Sequence, residues 1–109
     1  MKLITAIVQD KDTNRLSNAF VKANIRATRL TTSGGFLGSG NTTFLIAIDD
    51  DRVQDVLDII QKVSQKRKQF MVPPINLDAG GDHMGAYPIE VEVGGATVYT
   101  QSIESFHQF

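Results

Sequence analysis

Cysteine is absent from the 109-residue sequence. That excludes a disulfide framework and thiolate chemistry, and it fits a reducing compartment. A surplus of either charge is also missing. The 11 Lys and Arg residues stand against 12 Asp and Glu, without the basic excess of general nucleic-acid or membrane-surface binders. The balance leaves room for one or two well-placed cations. No apolar run is long enough to cross a membrane. Leu3, Ile4, Ala6, Ile7 and Val8 open the chain, far short of the roughly 20 residues of a spanning helix. They also lack a small-residue cleavage site. We read them as a buried strand and place the protein in the cytoplasm. Histidine is scarce: His83 and His107 stand too far apart for a metal motif. No Ser-His-Asp, Cys-His or paired-carboxylate constellation stands out, so no enzyme and no cofactor are expected. Repeats of solenoid length and internal linkers are missing too, and residues 1–109 are expected to form a single domain.

What is present is a regular alternation of strand and helix signals. Lys2 to Gln9 reads as a strand buried on both faces. Asp10 or Asp12 can cap the helix that follows, whose Leu16, Ala19, Phe20 and Ala23 make one apolar stripe. Asn24 can close it in the left-handed conformation. Ile25 to Thr32 reads as a second strand and Asn41 to Ile48 as a third. Asp49, Asp50 and Asp51 lead into a second helix, with Val53, Val56, Leu57, Ile60 and Val63 on one face. Its acids complement the positive end of the dipole, a better use for them than holding a cation. Lys66 to Lys68 reads as a solvated helix end and Phe70 to Val72 as a brief strand. Pro73 to Pro88 shows no periodicity and is a long loop. Ile89, Val91 and Val93 alternate with Glu90 and Glu92, a strand with one wet face. Gly94-Gly95 bends or bulges it, Ala96 to Ser102 continues it, and Ile103 to Phe109 is a tail in which Phe106 and Phe109 read as packing anchors.

The order β-α-β-β-α-β, with extra short strands, is the ferredoxin-like α+β plan: an antiparallel sheet with two helices on one face. No third helix is available for the other face, and self-association is the simplest way to cover it.

Three places invite chemistry. The turn from Ser33 to Gly40 contains four glycines around Phe36. Glycine lets backbone N–H groups approach an anion closely, although the turn is neither a P-loop nor a dinucleotide fingerprint. Phe36 either stacks on a nucleobase or packs on its own chain or a neighbouring one. Arg26 and Thr28, two apart, project to one side of their strand and suit a phosphate; the alternative is a solvated strand face. Asn41 can read an adenine edge or simply serve the turn. A charge-assisted hydrogen bond contributes about 1.5–3 kcal/mol and a stacked base about 1–3 kcal/mol, whereas micromolar binding needs about 8 kcal/mol. Arg26 and Phe36 alone fall short, so further donors must come from the backbone or from a second subunit.

These residues also carry a resemblance. The stretch Arg26-Ala27-Thr28-Arg29-Leu30-Thr31-Thr32-Ser33-Gly34-Gly35-Phe36-Leu37, followed by Ser39-Gly40-Asn41-Thr42-Thr43-Phe44, resembles the PII-like cyclic di-AMP receptors. So do Ile7-Val8-Gln9-Asp10, the run from Tyr87 to Val98, and the ending Phe106-His107-Gln108-Phe109. The resemblance implies a homotrimer of ferredoxin-like subunits with an additional C-terminal strand, and cyclic di-AMP bound in the clefts between subunits. It implies a bacterial signal-transduction receptor that passes a loop change to a downstream protein. It places Arg26 and Thr28 at phosphate, with Gly35, Phe36 and Leu37 around an adenine hydrogen-bonded by Asn41. Gln108 and the Gly94-Gly95 backbone fall near the same cleft, as does Ala47, which stands where many relatives carry glycine. Ser33 replaces an expected Thr, and Tyr99 to Ser102 is more polar than usual. Other PII proteins have their long loop between the second and third strands; here the later loop is the long one. Two rival functions use the same plan: an ATP or ADP sensor of PII type, and a metal-binding trimer of the cation-tolerance type, against which the lack of Cys and of clustered His counts.

Overall fold

The structure, a computed structural model, describes residues 1–31, 40–71 and 88–109. The opening apolar run is strand β1 (Lys2–Gln9). Ile4, Ala6 and Val8 are buried, while the residues between them are only half-buried. β1 is therefore buried on one face rather than two. Its buried face meets helix α1 (Asp10–Lys22) and helix α2 (Val53–Ser64), which pack on the same side of the sheet. The α1 stripe behaves as its spacing requires: Leu16 and Phe20 are fully buried and Ala23 packs against the core. On α2, Val56 and Ile60 are buried, with Val53 and Val63 beside them.

Strand β2 (Thr28–Thr31) is shorter than the apolar pattern suggested, because Ile25 is drawn into the core before the strand begins. Strand β3 (Asn41–Ile48) pairs antiparallel with both β1 and β2, and the last strand, Ala96–Ser102, pairs antiparallel with β1 on its other side. Between α2 and that last strand, β4 (Arg67–Met71) and β5 (Ile89–Val93) form a two-stranded sheet of their own, so the last strand is β6. The main sheet runs β2-β3-β1-β6, the ferredoxin-like order with β6 as its outer strand. Phe20 and Phe44 seal the core edge to face, with ring centroids 5.6 Å apart at 76°, an arrangement aromatic pairs favour.

The end of α1 is a Schellman closure. Asn24 has φ 57°, its N–H donates to the Val21 carbonyl at 3.1 Å, and the Ile25 N–H donates to Phe20 at 2.8 Å. Arg52 adds bonds to the Ala23 and Asn24 carbonyls. The start of α1 differs from expectation. Neither Asp10 nor Asp12 caps it; Gln9 holds the cap position without a side-chain bond. Nor does a side-chain cap bond form where Asp49 to Asp51 lead, through a short 3₁₀ turn, into α2.

Asp12 is instead fully buried, and both its oxygens meet Arg67, at 2.7 and 3.3 Å. This corrects the reading of residues 66–68 as a solvated helix end at one position: Lys66 and Lys68 are exposed, but Arg67 opens β4 and spends its guanidinium fork on a bidentate pair. Gly94 and Gly95 do more than bend a strand. With φ of 82° and 100° they end the small sheet and return the chain to the large one. A Cβ on Gly94 would lie 2.6 Å from the Gln65 carbonyl oxygen.

Arg67→Met is expected to cost about 3–5 kcal/mol, because it strands a buried carboxylate without its partner; urea unfolding measures this. Gly94→Ala is expected to cost about 1–3 kcal/mol through left-handed backbone strain, read as a fall in the thermal midpoint.

Candidate functional site

The carboxyl end of β1 is where the described residues converge. Gln9 lies opposite Asn41 in the ladder, and Val8 lies opposite Ala96 just after the glycine pair. Asn41, Gly94 and Gly95, three of the residues singled out in the sequence, therefore come together. They line a cleft of about 260 Å³ with Ile7, Gln9 and Lys66. A second cleft, of about 490 Å³, shares Gln9 and Asn41. Its floor is Asp10, Lys11 and Gly40, and its wall is the inner face of the β4–β5 hairpin, where Met71, Val91 and Val93 project. The joint space mixes carbonyl, amide and carboxylate groups with an apolar wall, the composition expected of a ligand cleft.

The polar groups around this space are tightly held. Gln9 Oε1 accepts the Gly94 N–H at 2.8 Å, and the Gly95 N–H donates to the Ser64 carbonyl. Both glycine donors are thus engaged within the chain; a ligand here would meet their Cα and carbonyl groups rather than N–H. Asp10 N–H donates to Gly40 O at 3.1 Å, and Thr42 Oγ1 donates to Asp10 Oδ1 at 2.8 Å. Lys11 Nζ donates to Gln69 Oε1. Hydrogen bonding to Asp12 holds the Arg67 guanidinium above its ordinary pKa, with partial burial opposing.

The other described candidates lie towards the opposite end of the sheet. Thr28 faces Leu45 and Ala47 faces Leu3. Ala47 is six residues along β3 from Asn41, about 20 Å at the usual strand rise. Arg26 precedes β2 instead of lying on it, so its shared side with Thr28 is not a strand register. It is exposed and lines a shallow recess with Val21, Asn24 and Ile25. Gln108 is exposed in the tail, which leaves the sheet after Ser102, opposite Lys2. Among the described residues Phe106 and Phe109 are exposed and serve as no packing anchor, although His107 stacks on Phe109 with centroids 6.1 Å apart. Gly35, Phe36 and Leu37 lie outside the described residues, as do His83 and positions 73–87 of the long loop. Among the described residues no group of three or more His, Cys, Asp or Glu could hold a metal ion, and no helix is long and apolar enough to cross a membrane.

Sequence reasoning missed Gln9, Asp12 and Arg67. One signal was available for Asp12: it sits four residues before Leu16, in phase with the buried stripe, where a solvated cap has no place.

Comparison with known proteins agrees with this architecture. A crystal structure titled as a functionally unknown protein from Pediococcus pentosaceus ATCC 25745 is 51% identical, with a TM-score of 0.80, over 99% of this chain and 96% of that one. The sequence model of one family, described as the cyclic-di-AMP receptor, matches residues 1–109. The chain belongs to the cyclic-di-AMP receptor family.

Proposed function

We propose that this protein is a non-enzymatic cytoplasmic receptor that binds cyclic di-AMP between the subunits of a homotrimer and signals through a change in its loops. Membership of the receptor family along the whole chain carries the reading. The distribution of the candidate residues supports the subunit boundary. Asn41, Gly94 and Gly95 stand at one end of the sheet, while Thr28, opposite Leu45, and Ala47 stand about 13 and about 20 Å along the strands from Asn41, and Arg26 precedes β2. Within one copy these residues are spread along the open face of the sheet and do not enclose a common space. A neighbouring copy, packed on the open sheet face, can bring one group against the other.

That open face is suited to burial. It carries Leu3, Thr5 and Ile7 of β1, Leu45 and Ala47 of β3, Leu30 of β2 and Tyr99 of β6. Leu30 is 49% and Tyr99 58% exposed in the single chain. Covering such residues is favourable by about 25 cal/mol per Å² of apolar surface.

In the proposed complex Arg26 and Thr28 hold phosphate, Asn41 pairs with an adenine edge, and Gly35, Phe36 and Leu37 enclose that base. Gln108, Ala47 and the Gly94-Gly95 carbonyl side complete the wall. The ligand shifts the loops only by its preference for the ordered state, and a downstream protein reads that state. No cofactor takes part, and the domain spans residues 1–109.

Light scattering of purified protein is expected to give the mass of three 12.0 kDa chains; a monomer overturns the interface site. Calorimetry is expected to show binding of cyclic di-AMP in preference to cyclic di-GMP, ATP and ADP. Arg26→Ala should weaken it about tenfold or more, and Phe36→Ala about fivefold or more, from the loss of a charge-assisted bond and a stacking partner. Neither should lower the thermal midpoint appreciably. Unchanged affinity in both variants overturns the site assignment.

A further inference from the structure

The β4–β5 hairpin pairs with no strand of the main sheet. Besides the Gly95 N–H bond to the Ser64 carbonyl at its exit, it is placed by side-chain bonds, and the described ones to the helix side of the fold converge on one short segment. Gln9 holds the hairpin's exit at Gly94, Lys11 reaches Gln69 on β4, and Asp12 holds Arg67 at the hairpin's entry. The remaining residue of that segment, Asp10, faces elsewhere. Its N–H donates to the Gly40 carbonyl, its carboxylate accepts from Thr42, and a Cβ on Gly40 would lie 2.5 Å from Oδ2. Four consecutive residues thus tie the hairpin and the start of β3 to the same turn.

We infer that the Gln9–Asp12 turn couples the cleft at Asn41 to the β4–β5 hairpin, with Arg67 as the positioning residue that makes the hairpin follow the turn. The inference rests on the receptor reading above. Three features make the turn suited to transmission. It is short, joining the last residue of a central strand directly to the first three residues of a helix. Asp12 is fully buried and Arg67 engages it with two nitrogens, a geometry a single ammonium cannot copy. Gly40 and the Asp10 carboxylate lie close together, since a Cβ at Gly40 would come within 2.5 Å of Oδ2. A ligand that presses on Gly40 or Asn41 therefore pushes on Asp10, and through Lys11 and Asp12 on β4. Arg67 lies beside Gly94 but lines neither cleft; it acts by holding the wall of Met71, Val91 and Val93.

The test is amide hydrogen exchange on the intact protein, with and without cyclic di-AMP, beside calorimetry on the same samples. In the wild type, cyclic di-AMP should slow exchange at residues 40–44 and also at 68–71 and 89–93. Arg67→Lys keeps a cation at the buried carboxylate but loses the fork. The double variant Asp12→Asn/Arg67→Gln removes both charges together and avoids a stranded one. In each, hairpin exchange without ligand should rise about tenfold or more, and ligand should still protect residues 40–44 but no longer the hairpin. Binding with hairpin protection undiminished in both variants overturns the inference alone. Binding that never protects the wild-type hairpin also overturns it. Absence of heat with cyclic di-AMP overturns the receptor reading and takes the coupling with it, even if the unliganded hairpin loosens as described.

Discussion

One short turn carries more of this structure than its length suggests. The chain leaves the central strand at Gln9 and enters a helix at Asp10. The geometry of the cleft depends on Asp12, three residues on. A carboxylate with no exposed surface must have a partner of matched shape, and Arg67 is that partner, 55 residues away. Once that pair forms, the position of β4 follows. The glycine pair then has to turn back over Gln65 and Ser64, and only glycine fits where Gly94 passes the Gln65 carbonyl. The hairpin wall, the cleft and the return to β6 rest on this ion pair together with the bonds of Gly94 to Gln9 and of Gly95 to Ser64.

Much of the fold was legible because it rests on local periodicity. The stripe Leu16, Ala19, Phe20, Ala23 and the alternation in Asn41–Ile48 and Ile89–Val93 are near-neighbour signals, and the strands and helix appear where those signals lie. Asn24 was legible for the same reason, since few residues accept its backbone angle. What escaped was non-local. Nothing near Arg67 announces a buried acid on another element, so a basic run reads as solvated. Asp12 looked like a cap because caps are the common use of Asp before a helix. Ile25 joined the core instead of the strand, because the Schellman closure of α1 turns it inward. The separation of β4–β5 into its own sheet depends on the positive φ of Gly94 and Gly95, and a glycine pair in sequence fits a bulge equally well.

The candidate site was legible in part. Asn41 and the glycine pair come together because β1 lies between β3 and β6, which follows from the ferredoxin-like order. Arg26, Thr28, Ala47 and Gln108 do not join them within one chain. A site divided between copies leaves no signal of its division in a single sequence: each half reads as an ordinary solvated face. The open sheet face, with leucine, isoleucine, threonine and tyrosine in register, is the physical reason to look for the second half on another copy.

The central claim is that the clefts around the β1–α1 turn are where cyclic di-AMP acts. Backbone amide chemical shifts, followed by NMR as cyclic di-AMP is added, test this most directly. The account predicts changes centred on Gly40, Asn41, Gly94 and Gly95, accompanied by changes at Arg26 and Thr28 from the facing copy. Shifts confined to the outer surfaces of α1 and α2, or no shifts at saturating ligand, would contradict it.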